Sequence, residues 1–347
     1  MGLSTNISWN LSDLEKIESN GYKVFSCFSC AGGSSMGYEL AGYDVLGNVE
    51  IDPKMMRLYL LNLKPKYPFM MGIEQFNHLA DKDLPKELFD LDILDGSPPC
   101  SSFSVAGVRE SKWGKKTAFR EGQKEQVLDD LFFHFINTAS KLKPKVVIAE
   151  NVKGLIIGKA RGYVKQIIEL FNKTGYKVQL FLLDSSTMGV PQKRERTFFV
   201  ARRDDLNLPE LKLSFSETAI STSKALQDVD WRNNKITWLT ENTKLLWQKT
   251  KLGAPLSEAH PKGSRFNEKK LNPNKPATTL TTHCPPLHWA LPRRITVSEA
   301  IRLQTFPDDY NFANRDGFYP IGMSVPPFMM QRLANEVQKQ WLDNLEK

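Results

Sequence analysis

Hydrophobic and polar positions alternate along this chain in a way that predicts strands and helices in turn. Short apolar runs predict strands at residues 22–28, 44–50, 91–95, 145–150, 177–184 and 197–202. Amphipathic spacing predicts helices at residues 11–19, 33–41, 53–62, 127–142, 163–173, 296–305 and 327–342. Regular alternation of this kind predicts an α/β fold with a doubly wound, mostly parallel sheet.

The pattern changes near Asp204. From residue 204 to about residue 274 the periodicity is weak, and the segment contains a basic stretch, KGSRFNEKKLNPNK. We interpret it as a separate small domain. The predicted organisation is therefore a first domain at 1–203, a small domain at 204–274 and a return segment at 275–347 that completes the first domain.

Charge and cysteine content narrow the function classes. The chain has 347 residues and a net charge of +8, from 47 basic and 39 acidic residues, which is compatible with a nucleic-acid partner. No apolar run is long enough for a membrane span, and the first residues do not form a secretory signal pattern. Four cysteines, Cys27, Cys30, Cys100 and Cys284, suggest free thiols in a reducing cytoplasm, and Cys27 with Cys30 is too little for a metal site.

Two strand ends predict a site for a nucleoside-containing cofactor. Glycines in the turn after the first strand, FSCAGG at residues 28–33, allow a ligand to approach the backbone. Glu50 ends the next strand, seventeen residues beyond Gly33, where a carboxylate can accept both hydroxyls of a ribose. The alternative for these residues is an ordinary tight turn and a solvated carboxylate.

Three further strand ends have reactive or charged side chains. Cys100 follows two prolines after the 91–95 strand, Glu150 ends a buried strand, and Arg194 and Arg196 enter the last strand of the series. Each alone has a bland explanation: an inert thiol, a carboxylate with a structural partner, a solvated charged edge. Because the carboxyl ends of parallel strands meet at one edge of a sheet, we expect thiol, carboxylate and arginines to converge beside the nucleoside site.

At this point the chain resembles the DNA (cytosine-5) methyltransferases of restriction–modification systems and phages. The motifs follow the order of that family and cover nearly the whole chain outside residues 1–20 and the 204–274 segment. They read FSCAGGSSMG, VEID, GSPPCSSFS, KPKVVIAENVKGL, GVPQKRERTFFVARR, KPATTLTTH, RRITVSEAIRLQTFPDDY and YPIGMSVPP.

The resemblance implies a Rossmann-like, S-adenosylmethionine-dependent methyltransferase with a small target-recognition domain. It implies that Cys100 attacks carbon 6 of a cytosine flipped out of the duplex. Glu150 then corresponds to the carboxyl group that hydrogen-bonds ring nitrogen 3 and the exocyclic amine. Arg196 corresponds to the arginine that holds the base carbonyl oxygen, and Arg194 supports the site.

The resemblance also implies contacts to S-adenosylmethionine, whose product is S-adenosylhomocysteine. Phe28, Ala31 and Gly33 would line the methionine end, Glu50 would hold the ribose, and Ile51 and Ile73 would lie against the adenine. The complete set of expected cofactor residues is Phe28, Ser29, Cys30, Ala31, Gly32, Gly33, Glu50, Ile51, Ile73, Pro99, Leu131 and Ser324.

The expected partner is double-stranded DNA. Between Arg109 and Glu125 the chain has six basic and three acidic residues, a long loop suited to closing over DNA. DNA contacts are expected at Ser102, Arg109, Lys112, Arg232, Arg265, Asn267 and Lys269. We further expect a monomer, a cognate restriction endonuclease that acts separately, and a bacterial or phage-encoded protein in the cytoplasm, associated with the nucleoid.

Three residues depart from the family pattern, and three other functions stay open. Cys30 and Met323 replace a usual glycine and asparagine, and Gly72 replaces an aspartate that often reads the adenine amine; these changes bear on the cofactor and not on Cys100. The alternatives are a tRNA cytosine methyltransferase, a nicotinamide-dependent oxidoreductase, which would need a GxGxxG turn that residues 28–33 lack, and a non-catalytic regulator.

Overall fold

The architecture comes from a computed structural model of the chain. It describes residues 7–99, 116–117, 126–127, 130–156 and 161–345, with the backbone alone at 116, 117, 126 and 127. Among these residues no helix is long and apolar enough to cross a membrane.

The strands are short, as expected for the apolar runs of the sequence. They are β1 (Lys23–Cys27), β2 (Asp44–Val49), β3 (Tyr67–Phe69), β4 (Ile93–Gly96), β5 (Lys116–Thr117), β6 (Gln126–Val127), β7 (Val146–Val152), β8 (Tyr176–Asp184), β9 (Gln192–Lys193), β10 (Glu195–Arg203) and β11 (Ala277–Thr278).

The helices alternate with these strands through the first two hundred residues. They are α1 (Gly33–Leu40), α2 (Pro53–Asn62), α3 (Ile73–His78), α4 (Leu131–Leu142), α5 (Arg161–Lys173), α6 (Thr222–Leu226), α7 (Glu241–Lys249), α8 (Val297–Gln304), α9 (Phe318–Met323) and α10 (Pro327–Gln340). Short 3-10 helices occur at Leu11–Lys16, Asp81–Asp83, Lys86–Phe89, Lys153–Ile156, Ser185–Thr187, Asp204–Leu206, Leu256–Glu258 and Leu342–Asn344.

Seven strands form the main sheet, in the order β3-β2-β1-β4-β7-β10-β8. The pairs β1–β2, β2–β3, β1–β4 and β4–β7 are parallel, whereas β10 runs antiparallel to β7 with Arg196 opposite Val152. The carboxyl ends of β1, β2, β4 and β7 therefore meet at one edge, together with the start of β10. This sheet confirms the predicted doubly wound, mostly parallel α/β class.

Buried aromatic rings hold the sheet and its helices together. Phe25 of β1 stacks on Phe76 of α3 with ring centroids 5.5 Å apart, and Phe132 of α4 meets Phe199 of β10 edge-to-face at 5.1 Å. All four rings are at most 1% exposed, so each contributes roughly 2–3 kcal/mol of apolar burial. This packing fixes the strand ends on which the site is built.

The described residues form two compact units. The larger unit comprises residues 17–183, 195–214 and 330–347 and contains the seven-stranded sheet; the smaller comprises 1–16, 184–194 and 215–329. In the smaller unit β9 pairs with β11, and a Thr296–Glu299 capping box begins α8. The functional boundaries at 203/204 and 274/275 stay a prediction.

Three local expectations need correction. The leading segment forms a 3-10 helix at Leu11–Lys16 and not an α-helix to residue 19, and α4 begins at Leu131 because Val127 belongs to β6. The short β3 and α3 have no counterpart in the prediction. Three residues that include Pro68 are too few to show strand alternation, which explains why β3 escaped the sequence pattern.

Candidate active site

The turn at residues 28–33, hereafter the cofactor turn, has an alternating backbone conformation. Phe28 (φ 54°), Cys30 (φ 47°) and Gly32 (φ 80°) all lie in the left-handed region. That region costs a residue with a side chain about 1–2 kcal/mol, so Phe28 and Cys30 need compensating contacts. The backbone N–H of Cys30 donates to Oε2 of Glu50 at 2.8 Å, which is one such contact.

Glu50 lies at the carboxyl end of β2 and is only 8% exposed. Its Oε1 accepts the backbone N–H of Asp52 at 2.8 Å, so each carboxylate oxygen already has one backbone donor. Burial raises the pKa of Glu50 to about 7, against the lowering effect of these hydrogen bonds. A third backbone hydrogen bond comes from Ile51, and because a carboxylate has about four lone-pair sites, Glu50 can still accept a ribose hydroxyl.

The residues beside Glu50 fit the rest of a nucleoside cofactor. A methyl group built on Gly72 would lie 3.4 Å from Cδ1 of Ile51, and Ile73, the first residue of α3, is buried. Phe28 packs toward Phe135, with ring centroids 6.4 Å apart. A ribose acceptor, an apolar flank and a turn with three residues at positive φ are features that suit S-adenosylmethionine, so the residues present fit it.

Replacing Glu50 by glutamine is expected to weaken binding of S-adenosylhomocysteine by roughly tenfold or more at pH 8, because a charged acceptor contributes more to a hydrogen bond than an amide does. As pH falls below about 7 the wild-type carboxylate becomes protonated. The difference between the two proteins should therefore shrink toward pH 6. Isothermal calorimetry at several pH values measures this effect.

Unfolding provides the control for that prediction. The pKa of Glu50 is raised above its ordinary value of 4.5, so the folded protein holds a proton that the unfolded chain releases. The resulting stability is full below pH 4.5 and is lost as pH rises through about 7. Glu50→Gln should remove this loss from the pH dependence of the free energy of unfolding. A constant affinity ratio between pH 6 and pH 8 would contradict the assignment.

An ion pair of Glu150 and Arg196 joins the end of β7 to the start of β10. Nε of Arg196 lies 2.9 Å from Oε1 of Glu150, and the side chains are 15% and 10% exposed. Burial lowers the pKa of Arg196, while the charge of Glu150 and its hydrogen bond act in the opposite direction. Beside it, Nζ of Lys153 donates to both carboxylate oxygens of Glu195 at 2.9 and 3.0 Å.

The strand end that leads to Cys100 is tied to the same place. Nδ2 of Asn151 donates to the carbonyl oxygen of Pro98 at 3.0 Å, and Pro99 is half-buried. Cys100 itself lies outside the described residues. So do the expected DNA contacts Ser102, Arg109 and Lys112, whose roles therefore stay predictions.

Arg194 and Ser324 lie in the smaller unit. The guanidinium of Arg194 is 2% exposed and donates to the backbone carbonyls of Leu280 at 3.3 Å and Gly322 at 3.0 Å. Nε2 of Gln304 donates to the carbonyl oxygen of Ser324 at 2.8 Å. These contacts hold the backbone of residues 280 and 322–324, and the supporting role of Arg194 stays a prediction.

Two of the expected DNA contacts of the variable segment, Arg265 and Asn267, lie in an exposed run. Every residue from 261 to 267 is exposed, and Arg265 adopts a left-handed φ of 71°. Its Nη1 donates to Oγ1 of Thr243 at 2.8 Å and lies 3.5 Å from Glu268. Lys269 is half-buried, whereas the guanidinium of Arg232 lies 4.7 Å from the ring centroid of Trp231.

The remaining expected cofactor residues also have definite places. Ser29, Ala31 and Leu131 are buried, the last as the first residue of α4, and Gly33 begins α1. Sequence reasoning missed Asn48, whose Nδ2 donates to Oγ of Ser29 at 2.8 Å. Its polar position within a buried strand was the available signal. Among the described residues no group of three or more histidine, cysteine or acidic side chains could hold a metal ion.

Known proteins are similar to this chain in architecture and in sequence. A prophage-encoded DNA modification methyltransferase of E. coli has the same fold, with a TM-score of 0.72 at 23% identity over 93% of this chain and 100% of that one. The Type II methyltransferase M.XorII of Xanthomonas oryzae pv. oryzae is 29% identical over 92% of this chain and 85% of its own length. M.Sau96I of Staphylococcus aureus is 30% identical over 90% and 75%.

The fold and the cofactor turn define an S-adenosylmethionine-dependent methyltransferase with a doubly wound sheet. Residues 22–339 match the family model of C-5 cytosine-specific DNA methylases, and the chain belongs to that family. It is thus a DNA cytosine-5 methyltransferase that takes its methyl group from S-adenosylmethionine, as the sequence motifs predicted.

Proposed function

We propose that this protein methylates cytosine within one short sequence of duplex DNA, with Cys100 as nucleophile and the Glu150–Arg196 pair as the holder of the target base. The observation that carries the proposal is that buried pair, 2.9 Å between Nε and Oε1, at the edge where β4 ends. Asn151, adjacent to Glu150, is hydrogen-bonded to Pro98, two residues before Cys100. The ends of β4 and β7 and the start of β10 are therefore neighbours, and Cys100 follows β4 by four residues in the sequence.

The pair is suited to bind one edge of cytosine. Nε of Arg196 bonds Oε1 of Glu150, and its Nη1 donates to the carbonyl oxygen of Glu195 at 2.8 Å. Among the described residues this leaves the second carboxylate oxygen and Nη2 for the base. In our proposal Glu150 bonds ring nitrogen 3 and the exocyclic amine, and Arg196 donates to the carbonyl oxygen. Because the site is buried, these hydrogen bonds resist competition from water and offset charge that develops on the ring.

Cys100 would provide covalent catalysis. Its thiolate sulfur bonds to carbon 6, and the electrons of the 5,6 double bond move toward carbon 5 while Glu150 and Arg196 stabilise the ring. When bound, S-adenosylmethionine supplies an electrophilic methyl group for carbon 5. A base, for which water is a candidate, then removes the carbon-5 proton. The carbon–sulfur bond breaks, the double bond re-forms and Cys100 regains its thiolate.

The exposed 261–267 run supports sequence-specific reading by the variable segment. Arg265 and Asn267 have side chains that can form two hydrogen bonds to one base edge in the major groove. Arg265 is anchored on Thr243, so its guanidinium need lose little further freedom on binding. We assign Lys269 and Arg232 to the same surface, and we propose DNA contacts for Ser102, Arg109 and Lys112, which lie outside the described residues.

The relatives support a biological setting. M.XorII and M.Sau96I are Type II methyltransferases of bacteria. We propose that this protein is bacterial or phage-encoded, works as a monomer on DNA in the cytoplasm, and protects its recognition sequence from a separate endonuclease. Modified DNA should then resist a restriction enzyme that cleaves the same sequence, and sedimentation should show one copy per DNA site.

Methyl transfer with Cys100→Ala tests the proposed chemistry. Wild-type protein, labelled S-adenosylmethionine and unmethylated duplex DNA should yield methylated cytosines in one motif, which bisulfite sequencing identifies. Cys100→Ala should yield none and still bind S-adenosylhomocysteine. Cys27→Ala is the matched control, because Cys27 is 1% exposed and burial raises its pKa well above the ordinary value. It should methylate at nearly the wild-type rate.

Two results would overturn the proposal. Methylation by Cys100→Ala at a rate similar to wild type would exclude the thiol as nucleophile. A wild-type protein that binds S-adenosylhomocysteine and labels RNA would favour the tRNA cytosine methyltransferase. One that binds S-adenosylhomocysteine and labels no nucleic acid would favour the non-catalytic regulator. The same assay therefore tests the nucleic-acid substrate and the role of Cys100 independently.

A further inference from the structure

Asp95 is a buried carboxylate near the end of β4, and its three hydrogen-bond donors are all hydroxyl groups. It is 2% exposed. Its Oδ2 accepts Oγ of Ser26 at 2.9 Å and Oγ of Ser34 at 2.8 Å, and its Oδ1 accepts the hydroxyl of Tyr38 at 3.3 Å. Among the described residues no cation pairs with Asp95, and a buried carboxylate in that state is costly, so we expect its contacts to be needed.

The three donors flank the cofactor turn. Ser26 lies in β1 before the turn, opposite Asp95 in the β1–β4 register, and Ser34 and Tyr38 lie in α1 after it. The turn itself holds Phe28, Cys30 and Gly32 at positive φ, a conformation that side chains disfavour. Asp95 therefore connects the two ends of a strained segment.

Other serines of this segment have buried partners as well. Ser29 accepts from Asn48 at 2.8 Å, and Ser35 accepts the hydroxyl of Tyr59 at 2.8 Å. Asp95 differs from these partners because it bonds both sides of the turn and is charged when ionised. Hydrogen bonds to a charged group are about twice as strong as those between neutral groups.

On its other side, Asp95 begins the segment that leads to Cys100. Gly96 follows it, and a methyl group on Gly96 would approach Cε2 of Phe135 to 2.5 Å, so this backbone is tightly packed. Pro98 is held by Asn151. A shift of Asp95 would therefore be transmitted to residues 96–98, which directly precede Pro99 and the proposed nucleophile in the sequence.

We propose that Asp95 is a positioning residue. It holds the cofactor turn in a fixed arrangement with residues 96–99, which precede Cys100. It acts through Ser26, Ser34 and the β4 backbone and touches neither reactant. Two consequences follow. Loss of its hydrogen bonds weakens cofactor binding, and displacement of the β4 end slows methyl transfer. The second consequence rests on the proposed function of Cys100, whereas the first does not.

The charge state of Asp95 agrees with this role. Burial raises its pKa to about 7, and the three hydroxyl donors act against that rise. The groups that face it are Cys27, Tyr38 and Tyr59, whose own pKa values burial raises, and the carboxylate of Glu150. Ionised Asp95 can accept all three hydroxyls at once, whereas the protonated form must donate one hydrogen bond itself.

The test compares Asp95→Asn, Ser34→Ala and the double variant. Calorimetric affinity for S-adenosylhomocysteine is measured for each, with kcat for methyl transfer and the free energy of unfolding. Each single variant should bind S-adenosylhomocysteine about tenfold more weakly, since each loses a hydrogen bond to a charged group. The double variant should be no weaker than Asp95→Asn alone, because both changes break the same contact. Asp95→Asn should also lower kcat about tenfold.

Thr138→Ala is the matched control. Thr138 is fully buried in α4 and donates to Oδ1 of Asn77 at 2.7 Å, so the variant loses a similar hydrogen bond within the same unit. It should be destabilised and bind S-adenosylhomocysteine normally. If Asp95→Asn behaves the same way, with reduced stability but unchanged affinity and kcat, the positioning role is excluded. Fully additive losses in the double variant would exclude it as well.

The proposal can also be tested if Asp95→Asn does not fold or if the wild-type protein is inactive. Should Asp95→Asn fail to fold, Ser26→Ala and Ser34→Ala remove its donors singly, and normal affinity and kcat in both would overturn the proposal. The binding measurement does not depend on catalysis. If wild-type protein shows no methyl transfer, the proposed function fails while affinity still decides the place of Asp95.

Discussion

Glu150→Gln is expected to lower the rate of methyl transfer by roughly 10²–10⁴-fold, the range typical of a lost acid–base group. Glutamine has the same shape as glutamate but can neither transfer a proton to ring nitrogen 3 nor carry a negative charge beside it. The variant should keep its affinity for S-adenosylhomocysteine, because the cofactor turn and Glu50 lie at the ends of other strands. Single-turnover methylation of a saturating DNA duplex measures the chemical step directly.

Stability must be followed in the same variant. The substitution leaves Arg196 with a neutral partner at 15% side-chain exposure, and breaking a buried pair costs about 3–5 kcal/mol in the extreme case. Because the glutamine oxygen can still accept from Nε, we expect a smaller loss.

Glu195→Gln is the matched control. Its carboxylate lies one residue from Arg196 and is 37% exposed, paired with Lys153. An exposed pair of this kind contributes about 1 kcal/mol or less, so its rate should stay within about threefold of wild type. A Glu150→Gln rate as high as that of Glu195→Gln would refute the assigned role.

The sequence predicted the part of this site that depends on strand ends. Glu150 and Arg196 each follow or begin an apolar run, and apolar runs can be located without a structure. Once the sheet is parallel, the ends of such runs must meet at one edge. The 2.9 Å contact between the two side chains depends on the antiparallel register of β7 and β10, which pairs Glu150 with Phe198 and Arg196 with Val152. No local pattern specifies that register.

Asp95 shows more clearly what cannot be predicted from the sequence. In the sequence it is one of two acids in the predicted 91–95 strand, without spacing that links it to Ser26, 69 residues earlier. The link exists because β4 pairs with β1, a long-range choice that hydrophobic periodicity does not encode. Arg194 is similar. Its neighbour Glu195 belongs to the larger unit, whereas Arg194 belongs to the smaller one, a division that the charge run conceals.

Replacing Arg196 should have the second large effect. Arg196→Ala removes the donor to the base carbonyl and leaves Glu150, 10% exposed, without its cation. We expect methyl transfer to fall about 10³-fold, comparable to loss of one preorganised donor from a charge-stabilising site. Arg196→Lys should recover little of that rate, because an ammonium lacks the planar fork needed to contact Glu150 and the base together. Affinity for S-adenosylhomocysteine should be nearly unchanged.

Arg202→Lys is the control on the same strand. Its guanidinium donates to Gln179 at 3.1 Å, within the larger unit and at the far end of β10, and the variant should methylate normally. The combined Glu150→Gln/Arg196→Lys variant then distinguishes two models. If the residues bind the base as one unit, the double variant should be scarcely slower than the slower single variant. If instead the rate losses of the two single variants multiply in the double variant, the two side chains act independently on the reaction. Their ion pair would then be a feature of the fold and not a joint binding site for the base.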